Sequence, residues 1–198
     1  MSYYDPYPTV SLERPIVLMG PPWSGVLACA AWIANTTGIR FVDLDAIVEH
    51  RMETSVVSLG SAALEGTFRD AQLAALRDEL LKQPFALFAT EDVGFWPSFR
   101  GLSTQSFYTL TIQPSREQHF ESYQKSKRGK TREKFARRPW LLQVPTEFEA
   151  FCDWIETEQG SHRIAQRVLD IDSVEPITMS KIVMRHLHGE GIVTEYGS

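Results

Sequence analysis

Short apolar runs alternate along the chain with longer stretches in which apolar residues recur at helical spacing. Four runs have the length and composition of buried strands: 15–19, 39–42, 85–89 and 107–112. Four stretches are predicted as helices, three of them next to a glycine or proline that ends them: 26–37, 64–82, 115–123 and 175–187. Strands that alternate with helices predict an α/β fold with a mainly parallel central sheet.

The 198 residues are enough for one domain or two small ones. Pro6 and Pro8 disfavour a helix or a central strand near the start, so we predict an irregular leader over 1–13. We expect one domain over 14–175, followed by a C-terminal helix and tail over 176–198.

The composition excludes a wholly disordered chain, because 43% of the residues are hydrophobic and only 23% are charged. No apolar run approaches the roughly 18 residues that cross a bilayer, and the N-terminus lacks the basic start of a secretory signal. Cys29, Cys152 and the five histidines show no spacing that suits a metal or a disulfide framework. We therefore expect an intracellular protein, in the nucleus or cytoplasm, without a membrane contact or a bound metal.

The net charge of −5 is unevenly distributed. Residues 125–138 contain eight basic residues and one acid, Glu133, and carry +7, so the rest of the chain carries −12. Such a segment indicates an anion site, a polyanion contact or a solvated helix. Phe135 is its only interleaved aromatic residue, so we expect a lid and no direct DNA binding.

The segment Gly20-Pro21-Pro22-Trp23-Ser24-Gly25 lies between a predicted strand and a predicted helix. Its glycine spacing is that of a phosphate-binding loop, in which backbone N–H groups surround an anion at a helix N-terminus. The complete motif continues with a lysine for the transferred phosphate and a Ser or Thr for Mg²⁺, but Val26 and Leu27 occupy those positions. Because phosphoryl transfer depends on such stabilisation, we expect it to be lost. Two alternatives stay open: a plain glycine turn, and a Trp23 that either stacks on a ligand or covers the loop.

Three more motifs follow the loop in order: Phe41-Val42-Asp43-Leu44-Asp45, Glu65-Gly66-Thr67-Phe68-Arg69-Asp70 and Arg137-Arg138-Pro139-Trp140. Together they resemble shikimate kinase, and their residues are similar to those of the kinase segment of the fungal pentafunctional AROM polypeptide. With a degenerate loop, the set resembles the kinase-like domain of the fungal quinate repressors. The resemblance covers about residues 14–140 and implies a P-loop kinase-like three-layer sandwich without a nucleotide cofactor.

The resemblance also implies three ligand-binding residues and no catalytic ones. Asp45 stands where the kinase binds the hydroxyls of shikimate, and Arg69 and Arg137 stand where two arginines hold its carboxylate. These residue types suit that chemistry, because guanidinium groups form bidentate pairs with carboxylates. The alternatives are an N-cap for Asp45, an ion pair with Glu65 or Asp70 for Arg69, and a general basic charge for Arg137.

The chain departs from the family where a glycine triplet follows the third strand of the kinase. Here the residues are Ala89-Thr90-Glu91-Asp92-Val93. Side chains therefore occupy a position where the backbone of the kinase approaches its ligand. Glu91 and Asp92 would also repel a carboxylate ligand.

Three hypotheses about function follow. The first is a catalytically inactive, shikimate-kinase-like domain of a transcriptional repressor of quinate utilisation, which contacts an activator protein and has quinate, shikimate or dehydroquinate as effector. The second is an active, divergent small-molecule kinase whose lysine comes from elsewhere, with Lys125 and Lys130 as candidates. The third is an interaction module without a small-molecule ligand.

Overall fold

The computed structural model describes residues 10–55, 65–82, 85–91, 107–128, 144–158 and 165–195. The strands of this part are β1 (Val10–Leu12), β2 (Ile16–Met19), β3 (Arg40–Asp43), β4 (Ala86–Thr90), β5 (Tyr108–Pro114), β6 (Arg167–Ile171) and β7 (Val193–Glu195). Its helices are α1 (Val26–Thr37), α2 (Leu44–Met52), α3 (Glu65–Lys82), α4 (Arg116–Arg128), α5 (Phe148–Glu158) and α6 (Pro176–Gly189).

Five strands form one sheet in the order β3-β4-β2-β5-β6, and every neighbouring pair is parallel. Each connection between parallel strands must cross over the sheet, which is why helices lie between them. The predicted α/β class and mainly parallel sheet are therefore confirmed.

Helices cover both faces of this sheet. Successive side chains of a strand point to opposite faces, so one strand contributes to the packing on both sides. Ile16 and Leu18 pack into the main core with residues of α1 and α6. Val17 and Met19 pack on the other face with residues of α2 and α3. The strand β2 is buried throughout, as a central strand of a three-layer sandwich must be.

The boundaries of α1 follow from two glycines. Gly25 precedes the helix with φ 79° and Gly38 follows it with φ 73°, both in the left-handed region that favours glycine. The N–H of Gly38 donates to the carbonyl oxygen of Ala34, which closes the last turn. The predicted helix over 26–37 is confirmed at both ends.

The prediction of an irregular leader over 1–13 is wrong for its last residues. Val10–Leu12 form a strand that pairs antiparallel with Val193–Glu195. Leu12 is buried in the main core, so the apolar character of this short segment outweighs the two prolines before it. The partner strand β7 lies about 180 residues away in the sequence, which is why local patterns gave no sign of the pair.

The helix α6 belongs to the same core as the sheet. Its Met179, Val183 and Leu187 are buried beside residues of α1. The boundary drawn at residue 175 stays a prediction of the sequence, and the structure adds that α6 and the strand β7 pack directly on the domain.

Candidate functional site

The strands β2, β3 and β4 end at the same edge of the sheet. The register pairs Met19 with Thr90 and Asp43 with Ala89, so these strands end side by side. Ligands of open α/β sheets bind at the carboxyl ends of the strands, in the crevice where the strand order reverses. Here that point lies at β2, which has β4 on one side and β5 on the other.

The loop between β2 and α1 uses its own groups as hydrogen-bond partners. The N–H of Ser24 donates to the carbonyl oxygen of Pro21 at 3.0 Å. The N–H of Val26 donates to the hydroxyl oxygen of Ser24 at 3.4 Å, and Ser24 is fully buried. Two backbone donors that would face an anion in a phosphate-binding loop are therefore engaged within the loop itself.

The two glycines of the loop are required by close contacts with protein atoms. A Cβ atom on Gly20 would lie 2.4 Å from the hydroxyl oxygen of Ser24. A Cβ atom on Gly25 would lie 3.2 Å from the carbonyl oxygen of Val174, in addition to the strain of its positive φ. The G-x4-G spacing is thus explained by the packing of the chain on itself.

The side chain of Trp23 packs the loop against helices α4 and α5. Its ring centroid lies 4.8 Å from that of Tyr123 and 6.3 Å from those of Phe151 and Trp154. The residue is buried in this aromatic cluster, although its φ of 64° is rare for a bulky side chain. Of the two alternatives for Trp23, the structure shows the covering role.

Helix α4 also binds the loop through two backbone carbonyl groups. The Nε2 of His119 donates to the carbonyl oxygen of Pro22 at 2.6 Å, and the hydroxyl of Ser122 donates to that of Trp23 at 2.8 Å. Burial lowers the pKa of His119 to about 4, while its bond to Pro22 acts in the opposite direction. The imidazole is therefore neutral at pH 7 and carries its proton on Nε2.

Val26, at the position of the missing lysine, points into the protein. It is fully buried in the main core with Cys29 and Met179, and Leu27 packs against the same cluster. Burial raises the pKa of the Cys29 thiol to about 12, so this neighbour is an uncharged packing group at neutral pH. The first turn of α1 is apolar and supplies no charge to an anion.

Asp45 lies in the first turn of α2 and contacts the neighbouring helix α3. The N-cap of α2 is Asp43, whose Oδ1 accepts from the N–H groups of Asp45 and Ala46. The N-cap alternative for Asp45 is therefore wrong. Its carboxylate instead accepts a hydrogen bond from the Nε2 of Gln72.

Gln72 is fully buried, and its Oε1 atom has no hydrogen-bond partner. A buried amide oxygen normally finds a donor, so this atom marks a polar position beside Asp45 that a hydroxyl could satisfy. Arg69 lies one turn earlier on α3 and is partly exposed, next to the buried anchor Phe68. The structure thus places Asp45 in contact with α3 through Gln72, one turn from Arg69 along that helix.

The other predicted ligand residue, Arg137, lies outside the described residues. Most of the basic segment also lies outside the described residues. Its first residue, Lys125, is part of α4 and pairs with Glu121 at 2.6 Å. At the end of β4, Ala89 and Thr90 are buried, and the partly exposed Glu91 follows them at the same edge of the sheet. Asp92 is also outside the described part of the chain.

Sequence reasoning missed Gln72, His119 and Ser122. Gln72 carried one signal, since it follows Arg69 by three residues and therefore shares its side of a helix. His119 and Ser122 carried none, because they lie about 97 and 99 residues from the carbonyl groups that they bind. Within the described ranges, no cluster of ligating side chains could hold a metal ion, and no helix is long and apolar enough to span a bilayer.

No protein-family model and no curated protein matches this sequence. Among solved structures, the chain is similar to shikimate kinase from Bacteroides thetaiotaomicron, with 17% identity over 92% of this chain and 99% of that one and a TM-score of 0.71. It is also similar to shikimate kinase from Acinetobacter baumannii in complex with shikimate, with 18% identity, 89% and 94% coverage and a TM-score of 0.71. A gluconokinase from Sinorhizobium meliloti 1021 has 16% identity, 93% and 94% coverage and a TM-score of 0.54. These likenesses confirm the P-loop kinase fold.

Proposed function

We propose that this chain is a catalytically inactive, shikimate-kinase-like domain that binds a cyclic polyhydroxy carboxylate as a regulatory signal. A sensor needs different affinities in two states and no turnover. Loss of the phosphate-side chemistry, with the ligand-side residues kept, is the pattern that such a protein would have.

The observation that carries this proposal is the burial of Val26 in the main core. The position that holds the lysine in a phosphate-binding loop is turned away from any phosphate here, and the backbone N–H of the same residue is already engaged. Both changes remove positive potential from the place where a phosphoryl group would carry negative charge.

The ligand side is supported by the contact between α2 and α3. Asp45, which is partly exposed, accepts from vicinal hydroxyls in this proposal, and the buried Gln72 holds its carboxylate in place. Arg69 holds the carboxylate, together with Arg137. Shikimate, which the similar Acinetobacter baumannii structure contains, has this combination of hydroxyls and one carboxylate.

We extend this proposal to a role in gene regulation, because the sequence motifs resemble those of a repressor domain. The domain would form part of a repressor of quinate utilisation that acts in the nucleus by contact with an activator protein. Quinate, shikimate and dehydroquinate are then the candidate effectors. Direct DNA binding and membrane contact are not part of the proposal.

Calorimetric titration of the full chain with quinate, shikimate, dehydroquinate and ATP–Mg²⁺ tests the proposed function. We expect saturable binding of at least one carboxylate and none of ATP. The Arg69→Ala variant should bind about 1.5–3 kcal/mol more weakly, the range for hydrogen bonds to charged groups. Arg77→Ala, on an exposed turn of the same helix, is the matched control and should bind like the wild type.

The competing functions give different results. Phosphorylation of shikimate or gluconate above background, abolished by Asp45→Asn, would establish an active kinase in place of a sensor. Absence of any carboxylate binding, or equal binding by the wild type and Arg69→Ala, would leave an interaction module without a small-molecule ligand.

A further inference from the structure

A cleft of about 500 Å³ runs along the outer edge of the central sheet. All four residues of β3 line it, from Arg40 to Asp43, together with residues of α2 and the end of α3. The cleft lies beside β3 and is formed only by described residues. It is therefore separate from the loop of Gly20–Gly25.

The strand β3 has β4 as its neighbour on one side and no strand on the other within the described part of the chain. The outer side of an edge strand presents backbone N–H and C=O groups that can pair with another extended chain. Four residues of strand are about 13 Å long, enough to pair with four to six residues of a partner. Phe41, Val42 and Ile47 give this cleft an apolar floor.

The rim of the cleft carries four nitrogen-bearing side chains and two acids. Arg40, His50, Arg51 and Lys82 line it against the two acids Asp43 and Glu79. Both acids are engaged, because Asp43 caps α2 and Glu79 pairs with Arg51 at 3.1 Å and with Lys82 at 3.0 Å.

Arg40 is left to attract an acid, and His50 can donate a hydrogen bond to one. Arg40 and His50 are exposed and have no carboxylate partner among the described side chains. An acidic side chain in the cleft would find these two groups beside it.

Two exposed apolar residues extend the surface beyond the rim. Leu81, in the last turn of α3, is 87% exposed, and Phe85, just before β4, is 61% exposed. Phe85 directly precedes Ala86, which pairs with Arg40 across the strands. Large apolar side chains at this exposure are typical of protein contact surfaces.

We propose that the edge of β3 is a docking site for an extended, acidic segment of another protein, which adds a strand beside β3. Backbone pairing gives such a complex its affinity, and side-chain pockets give it specificity. In this case apolar side chains of the segment lie on the floor of the cleft and its acidic side chains face Arg40 and His50. The lining of the cleft contains neither Asp45 nor Gln72, which form the proposed small-molecule site.

Fluorescence anisotropy with a labelled hexapeptide that alternates glutamate and valine tests this docking site. We expect saturable binding below about 1 mM. The double variant Arg40→Glu/His50→Glu should bind at least about tenfold more weakly, because it replaces attraction by repulsion. Arg185→Glu, an exposed charge reversal on α6, is the matched control and should bind like the wild type.

Two further peptides separate strand addition from simple charge attraction. The same hexapeptide with alternate amides N-methylated cannot pair with an edge strand and should not bind. A lysine–valine hexapeptide should not bind either. Binding that survives N-methylation, or that is equally reduced by Arg185→Glu, would overturn the proposal, as would failure of the acidic peptide to bind.

A second copy of this chain is the other possible occupant of the edge. Sedimentation equilibrium of the protein alone distinguishes it. A monomer at all concentrations supports docking of a foreign segment. A dimer that dissociates in Arg40→Glu/His50→Glu would mean that the edge pairs with itself and would overturn the proposal.

Discussion

His119 on α4 donates a hydrogen bond of 2.6 Å from its Nε2 to the carbonyl oxygen of Pro22, in the loop that follows β2. The two residues are 97 positions apart in the chain, and both are buried. The bond joins the loop to the helix that enters the basic segment. It therefore fixes the loop through a protein side chain.

The burial of His119 makes the stability of the protein depend on pH. Burial lowers the pKa of His119 to about 4 in the folded state, against about 6.5 in the unfolded chain. Between these values the unfolded state takes up a proton that the folded state does not bind. The contribution of His119 to the free energy of unfolding is therefore fully present above pH 6.5 and falls as the pH drops towards 4. The loss is at most about 3.5 kcal/mol, since each pKa unit corresponds to about 1.4 kcal/mol.

Urea unfolding at pH 7.5, 6, 5 and 4 measures this dependence. The His119→Gln variant keeps a donor for Pro22 and does not titrate, so its profile should be flatter than that of the wild type. His188→Gln, at the exposed end of α6, should keep the wild-type slope. Identical slopes for wild type and His119→Gln would contradict the assignment.

Trp23 is expected to stabilise the loop by packing and to strain it by its backbone conformation. Trp23→Ala should lower the free energy of unfolding by about 3–5 kcal/mol, as for other buried aromatic residues. Trp32→Ala is the matched control, because Trp32 is 39% exposed and should contribute much less. Thermal unfolding followed by circular dichroism compares the two variants.

The backbone strain at Trp23 gives this prediction a second part. Its φ of 64° costs an L-residue about 1–2 kcal/mol but costs glycine almost nothing. Trp23→Gly should therefore be about 1 kcal/mol more stable than Trp23→Ala, the reverse of the order in an ordinary helix or strand. A glycine variant that is less stable than the alanine variant would show that the loop is not held in this conformation.

The sequence predicted those parts of the fold whose determinants are local. The apolar run at β2 and the glycine after Thr37 were enough to place β2 and α1, because periodicity and the φ of Gly38 act within a few residues. The pair β1–β7 was missed because each strand has three residues and its partner lies at the other end of the chain. The helix α5 and the strand β6 were also missed, and the exposed positions of β6 hide its alternation.

The candidate site divides in the same way. Asp45 and Arg69 came from motifs, and the structure adds that Gln72, one turn after Arg69 on α3, donates to Asp45. The choice of Asp43 over Asp45 as N-cap could not be made from composition, because it depends on where α2 begins by one or two residues. Trp23 could not be assigned either, since its partners on α4 and α5 are about 100 residues or more away.

Replacing Gln72 by Glu is expected to place two carboxylates in contact at a buried position. At pH 7 their repulsion should destabilise the protein, and the shared site should take up a proton at a higher pH than an isolated carboxyl. Stability should therefore recover as the pH falls from 7 to 5, opposite in direction to the effect of His119.

Chemical denaturation of Gln72→Glu and of Gln72→Leu at both pH values tests this contact. Gln72→Leu removes the donor to Asp45 together with the orphaned Oε1, so its stability should be nearly independent of pH over this range, apart from the slope shared with the wild type. Equal pH profiles for the two variants would mean that Gln72 does not face the carboxylate of Asp45.

The double substitution Val26→Lys/Leu27→Thr restores the residue types of a phosphate-binding loop. We expect that it does not restore nucleotide binding. Val26 is fully buried, so the new lysine would enter the main core and would lose either its charge or the packing around it. The N–H of residue 26 would still donate to Ser24, and His119 and Ser122 would still hold the loop carbonyls. We therefore expect a less stable protein that does not bind ATP–Mg²⁺, measured by thermal unfolding and calorimetry.

Ala28→Lys, on an exposed position of the same helix, controls for the added charge and should leave stability within about 0.5 kcal/mol. Tight, magnesium-dependent ATP binding by the double variant would show that only two side chains separate this loop from a working one, and that the buried Ser24, Trp23 and Val26 do not close it.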